Sequence, residues 1–313
     1  VLSPREAAAD ADLQWSEQDG AHILTRDDPR YPPLLAQLSE APIVLYLRGD
    51  PGILADPTLA IVGSRNPTRQ GRRCAYDFAK HLGQSGFCIV SGLAQGIDAA
   101  AHEGALDGGA KTVAFLGHGI DHVYPASNRE LAARIARQGA LVSEFPPDTT
   151  PRRELFPQRN RLISGLSLGT LVVEAARRSG SLITARLAAE QGREIFAIPG
   201  SIHNPLSRGC HLLIRQGAKL VETGGDIVEE LGMLAEHLAD DADEPLPSQS
   251  PTSENDTDYE MLLEAMGYDP LSPDELSSSC GLTIDQVSSM LLILELEGKI
   301  EAQSGGRYSR FHR

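Results

Sequence analysis

The chain has no uninterrupted apolar run near the roughly 18 residues that a membrane-spanning helix requires. Its least polar stretch, Leu162 to Val173, is broken by Ser164, Gly165, Ser167 and Gly169. No basic segment leads into an apolar core near the start, so no secretory signal is expected. The sequence opens on Val1 rather than Met, and a trimmed N-terminus is expected. Cysteine is scarce: Cys74, Cys88, Cys210 and Cys280 lie far apart with no C-x-x-C pair, which argues against zinc sites and a disulfide framework. These absences predict a reduced, soluble, cytoplasmic protein without membrane attachment. The 313 residues are 41% apolar and 23% charged, a globular composition sufficient for two or three domains.

The net charge of −15 first argues against nucleic acid, but its distribution reverses that. Residues 61–220 carry 20 of the 28 Lys/Arg and only 12 of the 43 Asp/Glu, so a basic middle lies between acidic ends. Such asymmetry points to an anionic ligand. The basic residues are mostly arginine, whose planar fork matches phosphate in a way lysine cannot.

Four segments are expected. Residues 1–56, with a short helix, a proline-punctuated stretch and a strand at Ile43–Leu47, are too few for their own core and should pack on the central domain. Residues 57–239 alternate short apolar runs with helical stretches. The runs are Leu59–Val62, Phe87–Val90, Thr112–Leu116, Leu141–Val142, Leu171–Val173 and Ile195–Ile198. Strands that are apolar throughout belong to a parallel sheet covered on both faces. The fold class is therefore α/β, with function sought at the strand carboxyl ends. Residues 240–257, acidic and rich in Ser and Pro, read as a flexible linker. Residues 258–313 read as three helices and a hairpin, a winged-helix-like module. Its longest helix, Thr283–Glu297, carries Asp285, Glu295 and Glu297 and no basic residue, so the module is expected to contact protein, or its own core, rather than duplex DNA.

The strand-end loops carry the candidate site. Gly63, Ser64 and Arg65 form either a phosphate loop or an ordinary turn capped by Thr68. Ser91, Gly92 and Gly96 suggest an anion nest before a helix. Their spacing is not G-x-G-x-x-G, which disfavours a dinucleotide. Asp98 and His102 share a helix face and read as a structural pair rather than a catalytic one. His118 and His122 have no third metal ligand at suitable spacing. Four arginines within ten residues, among them Arg153, Arg159 and Arg161, flank Phe156 and accompany Asn160. A charged groove with an aromatic platform is how proteins hold single-stranded nucleic acid. Ser179, Gly180 and Ser181 precede a helix and form a further cradle. Near the sheet edge, Leu212, Leu213 and Ile214 span about 200° of a helix, so one is expected outward at a two-fold interface.

The strings Ile61–Arg65, Val90–His102, Phe156–Ser164, Glu174-Ala175 with Ser179–Ala185, and Ile198–Gly200, in this order, resemble the DNA-processing protein A family (DprA, also called Smf). The resemblance is close over roughly residues 25 to 235. It implies an extended Rossmann-like domain with a winged-helix C-terminal domain. It also implies a homodimer that binds single-stranded DNA and loads the RecA recombinase in natural transformation, with no catalytic residue, cofactor or metal. Members often carry a fuller helical N-terminal domain, whereas only about 25 residues precede the core here. The alternative is a nucleotide-cleaving enzyme like the lysine-decarboxylase-like phosphoribohydrolases. Their P-G-G-x-G-T motif is incomplete here, since only Gly169-Thr170 precedes Glu174.

Overall fold

Each short apolar run becomes a strand because both of its faces find helices to cover them. The computed structural model describes residues 4–231 and, discontinuously, 262, 265–266, 271–280, 282–284, 286–287, 290–291, 294, 300–303 and 307–310. By internal contacts the chain divides into two units, Val1–Ala242 and Asp243–Arg313. The expected linker, 240–257, lies outside the described residues.

In the first unit the strands are β1 (Ala21–Thr25), β2 (Val44–Gly49), β3 (Thr58–Gly63), β4 (Cys88–Ser91), β5 (Thr112–Phe115), β6 (Ala140–Ser143), β7 (Gly169–Val173), β8 (Glu194–Ala197) and β9 (Lys219–Leu220). They form one sheet in the order β1-β2-β6-β5-β4-β3-β7-β8-β9. β3 pairs in parallel with both β4 and β7, and the chain winds outward from β3 in both directions. That reversal of direction creates a crevice at the carboxyl ends of β3 and β7.

The helices are α1 (Pro4–Ser16), α2 (Pro33–Ala36), α3 (Arg69–Gln84), α4 (Ile97–Asp107), α5 (Arg129–Gln138), α6 (Leu155–Leu166), α7 (Ser181–Glu190) and α8 (Arg208–Arg215). Alternation along β3 assigns the two faces. Leu59 and Ile61 join a cluster with Ala75 and Ala79 of α3 and Ala101 of α4. Ala60 and Val62 join Leu162 of α6, Ala185 of α7 and Leu213 of α8. All four β3 residues are buried, as continuous apolar strands require. Among the described residues no helix is long and apolar enough to cross a membrane.

Two strands escape the sequence reading. β1 pairs antiparallel with β2, and β2 antiparallel with β6, so the N-terminal block extends the sheet instead of contributing one strand. α1 is tied to β2 by Tyr46 Oη donating to Asp12 (2.7 Å) and to the loop after β5 by Trp15 Nε1 donating to Asp121 (3.0 Å). At the other edge β9 pairs in parallel with β8.

Of the three residues expected at a two-fold interface, Leu213 needs correction. Leu213 is a core residue at 7% exposure, and Leu212 and Ile214 flank it half-buried. The middle of three consecutive residues takes the inward direction and leaves its neighbours at the helix flanks.

In the second unit, α9 (Pro273–Cys280) and the antiparallel pair β10 (Ile300–Gln303) and β11 (Arg307–Arg310) surround a small core. Leu262, Met266, Leu276, Val287, Leu291, Leu294 and Ile300 form it. The acidic Asp285, Glu295 and Glu297 of the expected long helix lie outside the described residues.

Candidate functional site

A hollow of about 480 Å³ opens beyond the carboxyl ends of β3 and β7. Four segments build it: the loop after β3, the segment after β4 with Ala94 and Asp98, the turn leading into α7, and the start of α6. Gly63, Ser64, Arg65, Arg153, Phe156, Asn160, Ser179, Gly180 and Ser181 all line it, as does Arg178. Arg65, Arg153 and Arg178 are exposed, and no ion pair engages them among the described residues. Ser179 Oγ and Ser181 Oγ lie 2.7 Å apart. One hydroxyl proton bridges that pair, which leaves the second for a ligand.

Phe156 is half-buried on the wall rather than in the core. Its ring meets Tyr124 at 5.5 Å between centroids, and Tyr124 is 51% exposed. The two aromatics border a second, smaller hollow of about 130 Å³ that also touches Arg65, Gly92 and Arg159. Tyr124 and Arg178 are absent from the sequence-derived set. Their only signal was membership of strand-end loops, Gly117–Pro125 and Arg177–Ser181.

The floor differs from what the sequence suggests. Gly92 N and Ala94 N donate to Asp98 Oδ2 at 3.1 and 3.3 Å, so the expected anion nest is already filled by a carboxylate. Ser91 is fully buried and donates to Ile61 O at 2.7 Å. Gly96 has φ +86°, and a Cβ there would stand 2.4 Å from Ser64 O. Ser91, Gly92 and Gly96 therefore shape the floor, and none of them lines the larger hollow.

Arg159 is also part of the floor. At 4% exposure its Nη1 donates to Gly92 O (2.7 Å) and to Phe115 O. Burial lowers its guanidinium to about 10, which Asp98 partly offsets, so it stays charged at neutral pH. Burial pushes the Asp98 carboxyl up, and Arg159 pulls it down.

Arg161 leaves the site altogether. It pairs with Glu144 at 2.5 Å and approaches Glu40 at 3.9 Å. Two residues of helix separate Arg159 from Arg161 by about 200°, so the pair cannot face one ligand.

His102 is fully buried, and its Nδ1 lies 2.7 Å from Thr112 Oγ1. Thr112 already donates to Ile89 O, so His102 Nδ1–H is the donor. Burial lowers the imidazole to about 3, which fixes it neutral. His118 and His122 bond the carbonyls of Gly119 and Asp148, each at 2.9 Å. The Glu174 carboxylate, on which the hydrolytic alternative turns, accepts from Thr68 N (2.7 Å), Thr68 Oγ1 (2.6 Å) and Asn204 Nδ2 (3.4 Å). Both of its oxygens are committed to protein donors.

Comparison with known proteins agrees with this architecture. A family described as DNA recombination-mediator protein A matches residues 22–232, and the DprA winged helix domain matches 246–306. Protein Smf of Escherichia coli is 43% identical over 317 residues, covering all of this chain and 83% of that protein. The X-ray structure of DNA processing protein A from Streptococcus pneumoniae is similar with TM-score 0.67 at 44% identity, covering 71% of this chain and 77% of that one. DNA processing protein A from Helicobacter pylori, whose structure concerns a unique single-stranded DNA binding mode, gives TM-score 0.62 at 30% identity over 69% of this chain and 96% of that one. Matched along most of its length by both domain families and by these relatives, the chain belongs to the DNA recombination-mediator protein A (DprA/Smf) family.

Proposed function

We propose that the hollow at the β3/β7 crevice holds the backbone of single-stranded DNA, with bases resting against Phe156 and Tyr124. The observation that carries this is the convergence of three exposed arginines without ion-pair partners among the described residues, Arg65, Arg153 and Arg178, beside a spare serine hydroxyl and an aromatic pair. Arginines position phosphates without reading sequence, and aromatics stack on any base. The buried Arg159, Asp98, Ser91 and Gly92, with the half-buried Gly96, support this wall from below. The engaged carboxylate of Glu174 favours binding over nucleotide hydrolysis. The test is fluorescence anisotropy with oligothymidylate and oligodeoxyadenylate between roughly 50 and 200 mM salt. The log of affinity should fall by roughly 0.7 per phosphate contact for each unit of log salt concentration, with little difference between the two sequences. Affinity indifferent to salt sinks the proposal.

The family's description as a recombination mediator supports the further reading that the bound strand is handed to the RecA recombinase, in the cytoplasm, during natural transformation. We also propose that the protein acts as a homodimer through the α8 face. Leu212 and Ile214 flank this helix half-buried, and Ile183 of α7 is 43% exposed nearby on the same hollow as Leu212. Light scattering on Leu212→Arg should show a folded monomer; a folded dimer would move the interface elsewhere. Leu213 is unsuitable for this test because its substitution would open the core.

A further inference from the structure

β7 ends at Val173, and the next residue must turn the chain from the sheet towards the Ser179–Ser181 turn. That residue, Glu174, sits at φ +50°, in the left-handed region that side chains rarely adopt and glycine adopts freely. A glutamate thus occupies a position whose backbone favours glycine. Backbone strain of this kind persists where the surrounding structure over-determines it.

The side chain supplies the constraint. From the end of β7 it reaches, outside the hollow, to the segment that follows β3, where Thr68 N and Thr68 Oγ1 both donate to its carboxylate. Thr68 is the cap of α3, and its Oγ1 accepts from Gly71 N at 3.0 Å. A Cβ at Gly71 would stand 2.4 Å from Glu174 Oε2, so the helix start is shaped around the carboxylate. Asn204, from the loop after β8, donates to the same group. Three strand-end loops therefore meet on one side chain. The first carries Arg65, and the second carries Arg178, Ser179 and Ser181. Glu174 does not itself line the hollow between them.

We propose that Glu174 is a positioning residue for DNA binding: its carboxylate ties the Arg65 loop to the Arg178–Ser181 turn and holds the two walls at their binding separation before the strand arrives. This rests on the reading of the hollow as a DNA site. Loops that are ordered in advance do not have to be ordered on binding, and the affinity gains accordingly.

Electrostatics and positioning make opposite predictions, which gives the test. Glu174→Gln removes a negative charge beside a groove for a polyanion, and by charge alone it should tighten binding. Positioning requires weaker binding, because the amide's NH2 meets a donor where an oxygen accepted before. The expected loss for oligothymidylate is about tenfold, the order of one lost charge-assisted hydrogen bond. The salt slope should be unchanged, since every groove arginine remains. Thr68→Val removes the hydroxyl without changing any charge and should weaken binding comparably. The two variants combined should lose less than the product of their separate losses, because they break the same link. Thermal melts on the full chain separate this from simple loss of folded protein, which would leave the affinity of the folded fraction unmoved. If Glu174→Gln fails to fold, Thr68→Val and its salt slope carry the test alone. Folded variants binding as tightly as the unmodified protein, or tighter, overturn the role of Glu174. Unchanged affinity in groove-arginine variants would instead remove the DNA reading on which it rests.

Discussion

Replacing Arg65 and Arg178 together by alanine is expected to weaken binding of oligothymidylate by about 100-fold, at roughly 1.5 kcal/mol for each lost charge-assisted phosphate contact. The two residues stand on opposite walls of the same hollow, one after β3 and one after β7, and both are exposed without an ion-pair partner among the described residues. Neither supports the fold, so the melting temperature should stay near that of the unmodified protein. The salt dependence should flatten by about 1.4 in slope, from two contacts at roughly 0.7 each for single strands. Arg161→Ala is the matched control. Its guanidinium is held by Glu144 away from the hollow, so removing the charge should leave affinity unchanged. An equal loss from Arg161→Ala would mean that general basicity, and not this groove, governs binding.

That control was invisible to sequence reasoning, and the reason is phase. The density of arginine between 152 and 161 marks the segment correctly, but density carries no angle. Once residues 155–166 form a helix, Phe156 and Asn160 lie one turn apart towards the hollow. Arg159 turns inward and Arg161 turns to the other side. The loop at Ser91–Gly96 misleads in a different way. Small residues do expose backbone N–H groups, but Asp98, in the first turn of α4, folds back and takes two of them. An acidic residue in a helix's first turn is a common capping partner, so the competing signal was present in the sequence. The central parallel strands were legible because burial on both faces leaves continuous apolar runs. β1 was not, since Ala21-His22-Ile23-Leu24-Thr25 makes no such run, and β9 is only two residues long. Both are edge strands, where one neighbour is missing and the demand for apolar residues relaxes. Tyr124 was passed over because its loop was read for its histidines, and its 51% exposure beside Phe156 belongs to the fold and not to the sequence.

The largest stability effect is expected at Arg159, beneath the groove. Arg159→Leu should cost about 3–5 kcal/mol in urea denaturation of the full chain, the range for leaving a buried charge and its hydrogen-bonding neighbours uncompensated. The carbonyls of Gly92 and Phe115 lose their shared donor, and Asp98, 8% exposed, loses its opposing charge. The pH dependence identifies the cause. Burial already pushes the Asp98 carboxyl up while Arg159 draws it down, so without Arg159 the upward push is less opposed. A carboxyl whose folded value lies above its unfolded value of about 3.9 favours the folded state while protonated, and that advantage disappears as pH rises through the folded value. Relative to the unmodified protein, the variant should therefore regain stability as the pH is lowered from about 7 towards about 5. Adding Asp98→Asn should remove this pH dependence and restore part of the loss at neutral pH, because the amide oxygen still accepts from Gly92 and Ala94 without a charge to bury. A variant whose deficit is the same at every pH would assign the loss to packing and lost hydrogen bonds and refute the electrostatic influence of Arg159 on Asp98.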